Sequence, residues 1–187
     1  MVIWLTGLSG AGKTTIAEAI VREIKPRLPE LVLIDGDVIR ELFGAGLGFH
    51  EEARQEQIGR IQRLAMFLAR QNIVVVVAAL YSHPDLLRWN RANLPGYYEI
   101  YVNAPLPLVE KRDTKGLYSK ARSGEMQNMV GVDIPWHAPE NPDMVVNSGS
   151  GETPEAIAIK IIQAAPCLAA ALAHKLMSGG QRDINHS

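Results

Sequence analysis

Apolar positions along the chain fall into short continuous runs separated by longer stretches in which they recur every three or four residues. Val2–Thr6, Leu31–Asp35, Ile73–Ala79, Tyr98–Asn103 and Met144–Val146 read as strands buried on both faces. Lys13–Ile24, Glu51–Arg70, His83–Asn93 and Leu106–Lys111 carry helical spacing. Thr153 followed by Pro154 supplies an N-cap and a first-turn proline for a helix over Glu155–Ala165. Strands alternating with helices predict an α/β fold, a five-stranded parallel sheet with helices on both faces.

Asp113–Asn141 breaks this rhythm. It mixes basic residues and glycines with Pro135 and Pro139 and holds no clear strand. A segment of that length in a compact domain reads as a functional lid over residues 113–141, the other reading being a surface excursion without a role. From Pro166 the chain turns alanine-rich, predicting a terminal helix, and Ser178-Gly179-Gly180-Gln181 opens an expected disordered tail over 178–187. Without repeat or linker, residues 1–177 form one expected domain.

Composition narrows the picture in few places. At 187 residues there is room for one core, and a net charge of -1 with 21% charged residues argues against a nucleic-acid surface. An anionic ligand must therefore be met by local positive charge. The single cysteine, Cys167, excludes an internal disulfide and reads as a small buried hydrophobe in a reducing compartment. The N-terminus lacks the pattern of a signal peptide, and the apolar run Ile73–Leu80 falls far short of the ~20 residues that cross a bilayer. A cytoplasmic protein with neither membrane nor nucleic-acid partner is expected.

The chemistry begins directly after the first strand. Gly7-Leu8-Ser9-Gly10-Ala11-Gly12-Lys13-Thr14 fits the pattern G-x-x-x-x-G-K-[ST] between a strand and a helix, the context that motif requires. Its glycines let successive N–H groups converge on phosphate oxygens, and the helix that follows adds the positive end of its dipole. Lys13 is placed to reach the β- and γ-phosphates of ATP and Thr14 to ligate Mg²⁺, with Thr15 closing the cradle.

Asp35-Gly36-Asp37 ends the second strand, where parallel sheets place ligand-binding residues. One carboxylate can orient metal-bound water while the other takes the acceptor hydroxyl's proton or holds it in line with the γ-phosphorus, and the sequence does not divide the two roles. The competing reading is an Asx turn in which Asp37 caps a helix over Val38–Phe43. The chain has no N-K-x-D guanine-reading motif, and it keeps Lys13 and both carboxylates, which a silent nucleotide-binding regulator is expected to lose.

Trp4–Thr15, Asp35-Gly36-Asp37-Val38-Ile39-Arg40, Leu47-Gly48-Phe49 and Arg112-Asp113-Thr114-Lys115-Gly116-Leu117-Tyr118 together resemble the adenylylsulfate kinases over roughly residues 2–147. The resemblance implies a P-loop kinase fold, commonly dimeric, in which MgATP phosphorylates the 3′-hydroxyl of adenosine 5′-phosphosulfate. It implies that Arg112 belongs to the ATP side and that Asp37, Arg40, Phe49, Arg54, Gln57, Lys115, Gly116, Leu117 and Tyr118 serve the acceptor. In that assignment Phe49 stacks on the base, Arg40 and Arg54 contact its anionic groups, and Lys115 lies over the transferred phosphoryl group. Lys13, Asp35, Asp37 and Lys115 form the expected catalytic set, with Thr14 and Asp35 toward the metal. Without the resemblance, the preferred reading is a core Phe49 and solvated arginines on the Glu51–Arg70 helix.

Departures from the family pattern gather on the acceptor side. Gln57 stands for an asparagine, Gly59 for an arginine, Tyr81-Ser82-His83-Pro84 for Ser-Pro-Tyr-Arg, and Met129-Val130-Gly131-Val132 for Phe-Thr-Gly-Ile. The Val130–Ile134 run also resembles a related branch that phosphorylates a CDP-linked phosphoramidate, so another nucleotide-linked acceptor is the alternative.

Overall fold

A computed structural model describes residues 1–43, 46–113 and 115–178, with side chains to 172. Each predicted apolar run becomes a strand: β1 (Val2–Thr6), β2 (Leu31–Asp35), β3 (Val74–Ala79), β4 (Tyr97–Asn103) and β5 (Met144–Asn147). All pair in parallel, in the order β2-β3-β1-β4-β5. β1 and β3 are buried at every position, which is why their sequences carry no polar alternation.

Two helical layers cover this sheet. α1 (Lys13–Ile24) packs against α7 (Pro154–Ala164), and α3 (Glu51–Ala69) packs against α4 (Pro84–Asn93). Thr153 caps α7 as predicted, accepting from the Ala156 N–H at 3.2 Å. His83 caps α4 through Nδ1 rather than opening it. α8 (Pro166–Ser178) turns sharply from α7 and buries Leu168, and Cys167 is partly buried beside it. No single described helix is long and apolar enough to cross a membrane. The tail expected over 178–187 lies outside the described residues apart from Ser178.

Three shorter helices shape the loops at the C-terminal edge of the sheet: α2 (Gly36–Leu42), α5 (Leu106–Arg112) and α6 (Leu117–Arg122). The segment expected to be lid, 113–141, contains α6 and a bridge between Val130 and Ile134, and it buries Tyr118, Met129, Val130 and Ile134 in the core. It is a strap packed over the site.

A buried polar chain ties the other end of the sheet together. Gln62 donates to Asn90 at 2.7 Å, Asn90 to the Tyr97 hydroxyl at 3.2 Å, and Tyr97 to Glu99 at 2.7 Å. Burial raises the proton affinity of both Tyr97 and Glu99, and Arg91 bridges Glu99 to Asp143, which accepts from the Glu99 N–H. The network joins α3, α4 and β4 to the approach of β5, leaving the opposite edge free for ligand chemistry.

Candidate active site

The turn after β1 presses against β4. A Cβ on Gly7 would lie 2.4 Å from the Val102 carbonyl oxygen, so no side chain fits there. Gly12, at φ 94°, caps α1 in the left-handed region and delivers Lys13 into the first helical turn.

Lys13 folds back over the loop and donates to the carbonyls of Gly7 at 2.9 Å and Leu8 at 2.8 Å. Burial is the main influence on its ammonium and lowers the pKa from 10.5 to about 8; Asp37 and Asp35 oppose that shift and Lys115 assists it. Thr14, next on the helix, donates its hydroxyl to Asp35 Oδ2 at 2.7 Å. A hydroxyl and a carboxylate held together beside a phosphate loop are the hard oxygen donors Mg²⁺ selects, so these residues fit the ion. Thr15 is exposed at the same helix start.

The two aspartates are used differently. Asp35 Oδ1 accepts from the N–H groups of Asp37 at 2.8 Å and Val38 at 3.4 Å, so Asp35, and not Asp37, caps α2. This corrects the competing reading: the capping turn is made two residues earlier, leaving Asp37 exposed and ion-paired with Lys115 from the strap.

On the far side of Asp37 the expected acceptor residues converge. Arg40 donates to the carbonyls of Leu47 at 3.0 Å and Gly48 at 2.9 Å, with its guanidinium carbon 4.8 Å from the Phe49 ring centroid. Arg54 flanks the ring at 5.7 Å and donates to the carbonyls of Phe49 at 2.8 Å and Asn128 at 2.6 Å. Arg54 is 5% exposed, neither solvated nor free to swing, and burial followed by repulsion from Arg40 lowers its proton affinity. Phe49, 50% exposed, is no core residue. A half-exposed aromatic between two guanidinium groups is a platform for a flat anionic ligand.

Other sequence expectations land elsewhere. Gln57 is buried and donates to the Gly36 carbonyl at 3.2 Å, while its Oε1 has no protein partner among the described residues. Gly116, at φ 64°, starts α6, and Leu117 packs partly buried on the core. Tyr118 is buried and donates its hydroxyl to the Ser9 carbonyl at 3.0 Å, which puts it against the phosphate loop. Arg112 bridges the Gly10 carbonyl at 3.2 Å and the Ser148 carbonyl at 2.7 Å. Met129 points into the core, and Asp133 holds the turn behind it by accepting from the N–H groups of Asn128 and Met129. Between Leu8 and the strap lies a cavity of about 300 Å³, bounded by Leu106, Val132 and Trp136. His83 meets His137 edge to face at 5.7 Å.

Sequence reasoning missed Ser148 and Asp133. Ser148 belongs to no motif and meets Arg112 36 residues away, so no local signal marks it; Asp133 lies within the Val130–Ile134 run but holds its turn through backbone N–H groups four and five residues back, which the run itself does not announce.

The adenylylsulphate kinase family profile matches residues 1–147. An adenylyl-sulfate kinase of Deinococcus deserti is 45% identical over 143 residues, covering 76% of this chain and 79% of the relative. One from Picosynechococcus is 41% identical over 155 residues, covering 83% and 88%. The structure of the Mycobacterium tuberculosis APS kinase CysC in complex with AMPPNP and APS superposes with a TM-score of 0.79 at 31% identity, covering 87% of this chain and 95% of that one. The fold is that of an α/β P-loop kinase. With the family profile spanning residues 1–147 and relatives of this identity over most of its length, the chain belongs to the adenylylsulphate kinase family.

Proposed function

We propose that the protein transfers the γ-phosphoryl group of ATP to the 3′-hydroxyl of adenosine 5′-phosphosulfate, giving 3′-phosphoadenosine 5′-phosphosulfate. The observation that carries the reading is the join between the two halves of the site: Thr14 of the phosphate loop is hydrogen-bonded to Asp35, and Asp37, two residues on, pairs with Lys115 and lies within electrostatic reach of Arg40 and Arg54 beside Phe49.

In this reading the loop Gly7–Thr15 cradles the phosphates of ATP, and Arg112 holds the rim of the nucleotide site. Lys13 leaves the carbonyls of Gly7 and Leu8 to meet the β- and γ-phosphates as charge builds there. Thr14 and Asp35 hold Mg²⁺, which when bound neutralises phosphate charge. Because Asp35 also caps α2, it is fixed, which suits the metal side. Asp37 is exposed at the helix start and suits the acceptor hydroxyl, accepting its proton or aiming it at the γ-phosphorus. Lys115 exchanges Asp37 for the transferred group, and the strap shields the reaction from water. A Mg²⁺-dependent, cytoplasmic homodimer serving sulfate assimilation is the corresponding cellular reading.

The test is steady-state turnover of MgATP with adenosine 5′-phosphosulfate and, in parallel, a CDP-linked phosphoramidate. The proposal expects a kcat/KM for the sulfate compound in the usual range of ~10⁴–10⁸ M⁻¹s⁻¹. Efficient phosphorylation of the cytidine compound alone would assign the site to the other acceptor.

A further inference from the structure

Four successive carbonyls of the phosphate loop are held by side-chain donors, two of them by the loop's own lysine and two by residues from outside it. Lys13 takes Gly7 and Leu8, the Tyr118 hydroxyl takes Ser9 at 3.0 Å, and Arg112 takes Gly10 at 3.2 Å. A phosphate cradle works through N–H groups, and in a trans peptide the C=O and N–H of one unit point in opposite directions. Fixing the Ser9 carbonyl outward therefore aims the Gly10 N–H inward. This restraint matters at Gly10, which sits at φ 74° with no side chain to keep its peptide from turning over.

Of the three donor side chains, Lys13 must leave its carbonyls when phosphate arrives, whereas Tyr118 has no charge to deliver. It is 2% exposed, and its position is set from outside the loop. The Asp113 carboxylate accepts from the N–H groups of Tyr118 at 3.0 Å and Ser119 at 2.9 Å, locking the start of α6. Lys115, in the same turn, pairs with Asp37 on the acceptor side.

We propose that Tyr118 is a positioning residue of the phosphate loop, its hydroxyl serving as a strut from the strap to the Ser9 carbonyl that sets the cradle for ATP. Burial raises its pKa to about 12, which keeps the hydroxyl protonated as a donor. The resemblance to the family places Tyr118 with the acceptor; the geometry places its one polar atom on the ATP side. The inference rests on reading residues 7–14 as the ATP site.

Tyr118→Phe keeps the ring and removes the strut. Titration of the full chain with AMPPNP and magnesium chloride, without acceptor, should show binding weakened about three- to tenfold, the range expected for one neutral hydrogen bond. In turnover, KM for ATP should rise while KM for the acceptor stays at the wild-type value, a split that a packing role would not produce. Asp113→Ala, which unlocks α6, should weaken AMPPNP in the same direction. Wild-type affinity in Tyr118→Phe overturns the strut, as does a change confined to the acceptor KM. A wild-type chain that binds no AMPPNP overturns the ATP reading itself, and the strut with it.

Discussion

Replacing Lys13 with methionine separates what the residue does for the fold from what it does for chemistry. Its folded pKa of about 8 against an ordinary 10.5 means that burial makes the charged form unfavourable. Between those values the unfolded chain binds the proton and the folded protein releases it, so the lysine's contribution to stability rises with pH. Integrating the two titrations gives a destabilisation of about 3 kcal/mol at pH 7 that falls below about 1 kcal/mol at pH 10, a gain of roughly 2 to 3 kcal/mol across the interval. Methionine has similar length and no titration, so the difference between wild type and Lys13→Met isolates this term. Urea unfolding of both proteins at pH 7 and pH 10 measures it. Wild type should gain roughly 2 to 3 kcal/mol on the variant as pH rises. At pH 7 the variant gives up two hydrogen bonds to Gly7 and Leu8 and is relieved of a buried cation, effects of similar size, so it should fold. Its turnover should nonetheless fall by orders of magnitude, because no charge meets the transferring phosphates. A stability difference that does not move with pH would refute the burial argument, and wild-type turnover would refute the kinase reading.

Asp35→Asn and Asp37→Asn keep shape and remove charge, so each should lower kcat by more than ~10-fold while ATP affinity changes little, and wild-type kcat in either removes that residue from the mechanism. Phe49→Ala should raise the acceptor KM about tenfold through lost stacking and leave KM for ATP unchanged; an unaltered acceptor KM would dismiss the platform. The strap over 113–141 should be cleaved by protease more slowly with MgATP and acceptor bound than without, and equal rates would argue against closure.

The sheet was legible because its strands are buried on both faces and so are written as unbroken apolar runs. β3 and β4 were each placed within one residue of where the structure starts them. The phosphate loop was legible because its chemistry demands particular residues at fixed spacing next to fixed elements. The strap was not. α6 is six residues long, starts at a left-handed glycine, and takes its cap from Asp113, upstream of the usual position. The division of labour between Asp35 and Asp37 was equally hidden, since which carboxylate turns to cap α2 depends on backbone angles and on Thr14, 21 residues away. Tyr118 was expected beside the acceptor, whereas its hydroxyl donates to the Ser9 carbonyl of the phosphate loop, because a motif records residue types and says nothing of where a hydroxyl points.

During synthesis, Val2–Thr6 leaves the ribosome before either of its partner strands and must wait for them. Val2 is in register with Val75 on one side and Tyr97 on the other, and β2 also pairs with β3, so no strand of the sheet can close until the chain has been made past Val74–Ala79. At roughly 5–20 residues per second that delay is several seconds, during which two apolar segments stand without hydrogen-bonding neighbours. A nascent chain stopped before β3 thus has helices but no sheet, and chaperone dependence should be greatest in that window and fall once β4 has emerged.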